Sequence, residues 1–354
     1  MDTPQTCGCS CSPGTPSVPC DCTPGKKEAP GILTATSTIT PADRWDHVLA
    51  RWGVNRMGHT VTPGLYRLGN PDEDSPVFAS ANYTLSFDAL RSALAGIDAY
   101  LLVLDTKGIN VWCAAGKGTF GTAELVRSIE YTGLADVVRH RKIILPQLGA
   151  PGVSWGEVMR RSGFKVEYGP VRAGDLPRYL ENHTATPEMR SVRFPLSDRL
   201  VLIPVELVHA ALPAIAGSLV LFFLAGPLAA LAAVTAVLAG TVGFPLLLPF
   251  IPTQDFSMKG LILGTIAALP VAGAFALNTS GPVWMNAAGA GMALLIMPAV
   301  TAYLALNFTG CSTCASRTGV KKEIFFYVPV MVVMAASGVV FGILMGLLAW
   351  YGVI

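Results

Sequence analysis

The sequence predicts an α/β domain followed by an all-α membrane bundle of five helices. Three observations carry that division. Charge is almost confined to the first 200 residues, two long stretches beyond them carry none, and strand-length apolar runs alternate with helical segments ahead of them.

Hydrophobic residues make up 52% of the 354, and only 14% are charged, against ~25% in ordinary soluble domains. Beyond position 200 the only Lys or Arg are Lys259, Arg317, Lys321 and Lys322, and the only Asp or Glu are Glu206, Asp255 and Glu323. The first 200 residues are nearly neutral, with 21 basic and 20 acidic groups. A net charge of +2 without a basic cluster speaks against nucleic acid as a partner.

Residues 1–40, rich in Pro, Thr, Ser and Cys, are expected to lack order. Residues 41–200 form the α/β domain. It opens with an amphipathic helix over Pro41 to Trp52, started by Thr40-Pro41. Strands are expected at Pro76–Ala81, Ala99–Asp105, Lys142–Pro146 and Phe164–Tyr168. Helices are expected at Ser86–Leu94, capped by Ser86 with Asp88 in its first turn, and at about Phe120–Tyr131, Trp155–Ser162 and Leu176–Asn182. Single helices between strands imply right-handed crossovers and a parallel, Rossmann-like sheet, which binds ligands beyond the carboxyl ends of its strands.

Residues 201–354 form the membrane domain. Leu207 to Gln254 and Gly260 to Ser316 are uncharged runs of 48 and 57 residues, each enough for two crossings of ~30 Å of hydrocarbon at ~1.5 Å per residue. With one more crossing after Ile324, the spans fall at about 205–225, 228–250, 259–278, 283–306 and 325–350. Residues 1–30 have no apolar core of a signal peptide, so residues 1–200 are expected in the cytoplasm. Lys259, Arg317, Lys321 and Lys322 then all fall inside, as the positive-inside rule requires, and the C-terminus lies on the far side. Within the spans only Glu206 and His209 ionise, both at the cytoplasmic mouth of the first helix, which favours an anchor or partner platform over a pump. The small run Ala287–Gly291 permits close helix packing.

The loop after Asp105 lies at a strand's carboxyl end. Its Gly116-Lys117-Gly118 lacks the Ser/Thr and the upstream glycine spacing of a phosphate loop. What remains is Cys113, after bulky Trp112 and before Ala114-Ala115-Gly116. A short helix starting here would favour its thiolate through free amides and Lys117, and the small residues would let a flat group lie against the backbone. Spacing alone leaves a buried structural cysteine the plainer reading.

Asn110-Val111-Trp112-Cys113-Ala114-Ala115-Gly116-Lys117 resembles the cap-helix motif of the corrinoid protein of microbial mercury methylation. That family is related to the corrinoid-binding domain of the corrinoid iron–sulfur protein of the acetyl-CoA pathway. The resemblance extends to Pro63–Tyr66, Asp72–Pro76, Ala81–Tyr83, Ser86–Asp88 and Asn307–Gly310, and covers roughly positions 45–354. It implies a corrinoid-dependent methyltransferase in the cytoplasmic (inner) membrane that binds cobalamin and makes methylmercury from Hg(II). Cys113 would be the lower axial ligand of cobalt, with Asn110, Val111, Trp112 and the 114–117 run shaping the cap. A thiolate donates more strongly than imidazole or water, so it suits delivery of a nucleophilic methyl to an electrophilic metal ion. The same donation makes the cobalt hard to reduce, and the implied reductant is a separate ferredoxin-like protein with two [4Fe-4S] clusters. This chain lacks the Cys spacing for an Fe–S cluster of its own. The implied methyl source is a methyl-folate route. Two alternatives stand beside this reading: a membrane-tethered corrinoid methyl carrier of one-carbon metabolism, and a heavy-metal binding or export protein.

Two cysteine groups depart from the family pattern. Cys7, Cys9, Cys11, Cys20 and Cys22 would suit capture of Hg(II), Zn(II) or Cu(I) in a reducing compartment, or belong to an extension with no required role. Cys311 and Cys314 either replace small hydroxyl residues or relay Hg(II) from the membrane face.

Overall fold

The structure, a computed structural model, describes residues 31–279, 282–310 and 317–353. The expectations for Cys7, Cys9, Cys11, Cys20, Cys22, Cys311 and Cys314 lie outside the described residues. Strands β1 (Leu33–Ala35), β2 (Gly64–Leu68), β3 (Val77–Ala81), β4 (Ala99–Leu104), β5 (Lys142–Leu145) and β6 (Lys165–Tyr168) form a sheet in the order β1-β2-β4-β3-β5-β6. The sheet is mixed, which corrects the all-parallel expectation: β2 runs antiparallel to β4, with Gly64 opposite Val103 and Leu68 opposite Ala99. No helix separates β2 from β3, and the eight residues 69–76 are too few for a parallel crossover, which takes a dozen or more. The β1 strand lies in the stretch expected to lack order, held by parallel pairing with β2.

Between β1 and β2 runs α1 (Pro41–Arg51), started by a reciprocal cap in which Asp43 N–H donates to Thr40 Oγ1 and Thr40 N–H to Asp43 Oδ2. Between β3 and β4 lies α2 (Thr84–Ala93), and α3 (Val111–Lys117), α4 (Thr122–Tyr131) and α5 (Leu134–Val137) lie between β4 and β5. α6 (Trp155–Ser162) joins β5 to β6, and α7 (Leu176–Asn182), α8 (Pro187–Arg190) and α9 (Leu196–Leu200) follow. α2 starts two residues before the expected cap, and Ser86 makes no cap bond. Asp88 is buried in the second turn and serves as a partner for Arg91, not as a first-turn charge.

β4, Ala-Tyr-Leu-Leu-Val-Leu, is buried on both faces, as a central strand covered by helices on each side must be. Leu102 and Leu104 face a core shared with α3, α4 and α6, while Leu101 and Val103 face one shared with α2 and α7. The chain crosses from β3 to β4 on one side and returns to β5 on the other, so the sheet's switch point lies between β3 and β5.

An ion-pair network ties the first residues to this body. Buried Arg91 donates through Nε to Asp88 (2.6 Å), through Nη2 to Asp43 (2.8 Å), and through Nη1 to the carbonyls of Thr36 and Thr38 (both 2.7 Å). His47 Nε2 lies 2.7 Å from the other oxygen of Asp88.

The second half consists of α10 (Ile203–Ala225), α11 (Pro227–Leu238), α12 (Phe244–Leu247), α13 (Phe256–Ala276), α14 (Val283–Asn307) and α15 (Arg317–Trp350). A π turn at Ala239–Gly243 joins α11 to α12. Among the described residues five helices are long and apolar enough to cross a membrane: Leu196–Ala225, Pro227–Leu247, Phe256–Ala276, Val283–Asn307 and Thr318–Trp350. α13 and α14 pack most closely, through Gly260 and Gly264. A Cβ at Gly260 would lie 2.6 Å from Ala302 Cα, and one at Gly264 2.6 Å from Pro298 Cα, which is the small-residue spacing of helices that associate in lipid. Within Ala287–Gly291, Gly289 meets Phe275, and nearby Gly291 meets Phe341. At the end of the bundle nearest the α/β domain, Ser257 donates to Glu323 (2.9 Å from N, 3.0 Å from Oγ) and Tyr327 to Asp255 (2.9 Å).

Candidate functional site

A cavity of about 870 Å³ opens at the switch point, between Ser80 near the end of β3 and Leu145 at the end of β5. Its size is that of a site for a large organic ligand, typically ~300–1,000 Å³. Cys113 lies half-buried on its wall, with Asn110, Val111, Trp112 and Lys117 beside it.

The loop that delivers Cys113 is built on Asn82, just past the end of β3. The buried Asn82 Oδ1 accepts from Thr106 N (3.0 Å), Thr106 Oγ1 (2.9 Å) and Gly108 N (3.1 Å). Thr106 Oγ1 is also 2.7 Å from the Ile109 carbonyl oxygen. Gly108 sits at φ +69°, where a side chain would be strained and would press on Thr60 and the Met57 carbonyl. Asn110 then caps α3, accepting from Cys113 N–H at 2.9 Å, and Gly118 closes it at φ +85°. Asn82→Ala should strand buried donors and cost about 2 kcal/mol or more of stability. If the cavity takes its cofactor through α3, retention should also fall about tenfold. Asn82→Asp, which keeps an acceptor, should recover most of both, as read by thermal unfolding and cofactor content.

Ala114 and Ala115, placed in the expected cap, are not on the cavity wall. Both are buried in the core. They are small because the turn at Gln147–Gly152 presses on α3: a Cβ on Gly152 would lie 3.0 Å from Ala115 Cα and 2.2 Å from the Phe120 carbonyl oxygen. Gly116 is not on the cavity wall either.

Burial pushes the Cys113 thiol above its ordinary pKa, against the opposing pull of the Asn110 side chain and the positive charges of Lys117 and Arg56. Desolvation thus outweighs the groups that would favour the expected thiolate. Tyr83, also on the wall, is raised chiefly by burial.

Two sets of lining residues were not singled out from the sequence. Arg51 and Arg56 come from the end of α1 and the turn after it, and Val201, Leu202 and Val205 come from the start of the first long apolar helix. Only the folded arrangement of the two halves brings that helix to the cavity. For Arg51 the amphipathic pattern at 41–52 is the available signal, and for Arg56 the sequence holds none.

His59 holds the segment after α1 in place. Its Nδ1 is 2.7 Å from Asp46 Oδ1, and its Nε2 is 2.7 Å from the Val54 carbonyl oxygen. Burial disfavours the charged ring, but Val54 and Asp46 outweigh it and hold the pKa above 6.5. A raised histidine pKa stabilises the fold fully below the unfolded value, and that contribution is lost as pH rises through the folded value. Hydrogen exchange at residues 46–60 should therefore quicken as pH rises past about 6.5 in the wild type. In His59→Gln it should show no such histidine step.

The fold and site define an α/β domain on a mixed sheet, with a large cavity at its switch point, joined to a bundle of long apolar helices. Residues 54–180 match the family described as CO dehydrogenase/acetyl-CoA synthase delta subunit. Among curated proteins, the chain is similar to the acetyl-CoA decarbonylase/synthase complex subunit gamma of Methanopyrus kandleri, 40% identical over 129 residues, or 36% of this chain and 27% of the relative. The subunit of the same name from Methanocaldococcus jannaschii is 35% identical over 130 residues, 36% of this chain and 26% of its own length. That of Archaeoglobus fulgidus is 34% identical over 125 residues, 35% and 26% of the two chains. The similarity thus covers about a quarter of these relatives' length, and the family match at residues 54–180 falls on the α/β half of this chain.

Proposed function

We propose that the chain is a membrane-tethered corrinoid protein of methyl transfer in which Cys113 would hold the cobalt. One observation carries this reading: a single half-buried thiol stands on the wall of a cofactor-sized cavity at the switch point of the sheet. The residues fit such a group. A thiolate is a soft donor suited to a transition metal, and the wall is mostly apolar with Arg51, Arg56 and Lys117 among its polar members. The relatives support the corrinoid, one-carbon part of the reading.

When bound, the corrinoid supplies a cobalt centre that carries and releases a methyl group. The chain's own residues do the rest. Asn110 fixes the first turn of α3 and so the height of Cys113, and Asn82 fixes the loop beneath it. Lys117 and Arg56 lower the cost of a thiolate in a desolvated place. Val201, Leu202 and Val205 line one side of the cavity with apolar surface. Metal binding would reverse the upward push on the thiol, since a coordinating thiol is held deprotonated.

The methyl acceptor is the finer question. The Asn110–Lys117 resemblance supports inorganic Hg(II), delivered with electrons from an iron–sulfur partner and methyl groups from a folate source. The acetyl-CoA decarbonylase/synthase relatives favour the second reading, a methyl carrier of one-carbon metabolism. Full-length protein loaded with methylated cobalamin and offered Hg(II) separates them. Stoichiometric methylmercury at a rate well above that of free methylcobalamin supports the first, and transfer only to one-carbon acceptors supports the second. A preparation that takes up no corrinoid overturns both.

A further inference from the structure

The α1 helix carries an apolar stripe that the α/β domain does not use. Trp45, Val48 and Trp52, at i, i+3 and i+7, are 63%, 40% and 46% exposed, while on the opposite face Ala50 is buried and Asp43, Asp46 and His47 are half-buried. Single exposed apolar residues are ordinary, but two tryptophans aligned on one helical face are not. Arg44 and Arg51, seven residues apart, flank the stripe along one edge, and both are exposed. The stripe also has a definite neighbour. Gly53, the residue after Trp52, packs on the opening turns of α10: a Cβ there would lie 3.5 Å from Val205 Cγ2 and 3.9 Å from His209 Nε2. Those turns begin the first apolar helix, so Trp52 stands at the level where that helix would leave the hydrocarbon.

We propose that the exposed face of α1 lies in the interfacial layer of the lipid bilayer, with Trp45, Val48 and Trp52 against the acyl boundary and Arg44 toward lipid phosphates. The proposal rests on the reading of α10 as membrane-spanning. Tryptophan is enriched at that depth because its ring is apolar and its N–H polar, and an arginine at the stripe's edge can bury its stem while its guanidinium meets phosphate. Ala50 and Arg51 of the same helix line the cofactor cavity, so this contact would set the height of the cavity above the membrane.

The test is tryptophan fluorescence of the full chain in nanodiscs whose phospholipids carry bromine either high or low on the acyl chains. Emission lost in the Trp45→Phe/Trp52→Phe double variant isolates the pair, and a Trp350→Phe variant isolates a residue at the far end of α15. The expected result is that the pair's emission is quenched at least about twofold more by shallow bromine than by deep. Trp350 is quenched as well. If Trp350 is quenched and the pair is indifferent to bromine, α1 faces water, a second copy or a protein partner, and the proposal fails while the membrane reading stands. If bromine quenches neither, the membrane reading fails and takes the proposal with it.

Discussion

Changing Cys113 to Ala is expected to remove the sulfur–cobalt charge-transfer feature from the visible spectrum of the cobalamin-loaded protein. On the proposed function, it should also lower methyl transfer from the loaded protein by more than about a hundredfold. Loss of a residue that merely supports a metal ligand costs about 10–100-fold, and loss of the donor itself should exceed that. The fold should survive. Cys113 is half-buried on a cavity wall, while the core contacts of α3 are made by Ala114 and Ala115 and its cap by the Asn110 side chain on a backbone amide. Protein levels in the membrane should therefore match wild type. Cys113→Thr, which keeps a small polar side chain but a hard oxygen, should behave like the alanine variant. An unchanged pigment in either one would show that the thiol does not touch the cobalt.

Arg91→Met should produce the largest loss of stability in the α/β half, about 3–5 kcal/mol, the usual result of removing one partner of a buried ion pair. Asp88 is almost wholly buried and would keep only the His47 ring as a side-chain partner, while the Thr36 and Thr38 carbonyls would lose their shared donor. Because β1 and α1 hang on this one guanidinium, the damage should be directional. Hydrogen exchange should accelerate first in residues 31–52 and only later in β4. Arg91→Lys should fall between, since an ammonium cannot span Asp88, Asp43 and two carbonyls at once. Uniform acceleration across the whole sheet would show that the network does not act as a local clamp.

Several elements could be read from the sequence because local pattern decides them. Trp155–Ser162 and Leu176–Asn182 form the helices their patterning predicts, and Thr40-Pro41 starts α1. The continuous apolar run of β4 announces a strand covered on both faces. The five long apolar helices begin and end within several residues of the expected limits, with the first and last extended toward the N-terminus. What stayed hidden depends on residues far apart in the chain. β1 is three residues long and exists through its pairing with β2, and the antiparallel direction of β2 follows from a connection whose path no local pattern records. Asp88 looked like a helix-start charge because its partners, Arg91 apart, come from α1. At the site, the loop and its cysteine were legible, but the role of Asn82 and the contribution of Val201, Leu202 and Val205 required the fold.

Those last three residues make the junction between the two halves sensitive to rotational phase. An α-helix turns about 100° per residue, so inserting or deleting one residue between α9 and α10 would swing a different set of side chains toward the cavity. Val205 is followed at once by Glu206, which faces a separate apolar chamber among the long helices. A one-residue deletion would bring that carboxylate toward the cavity's apolar wall, whereas inserting a whole turn would nearly restore the valine. The linker thus has to keep an angle as well as a length.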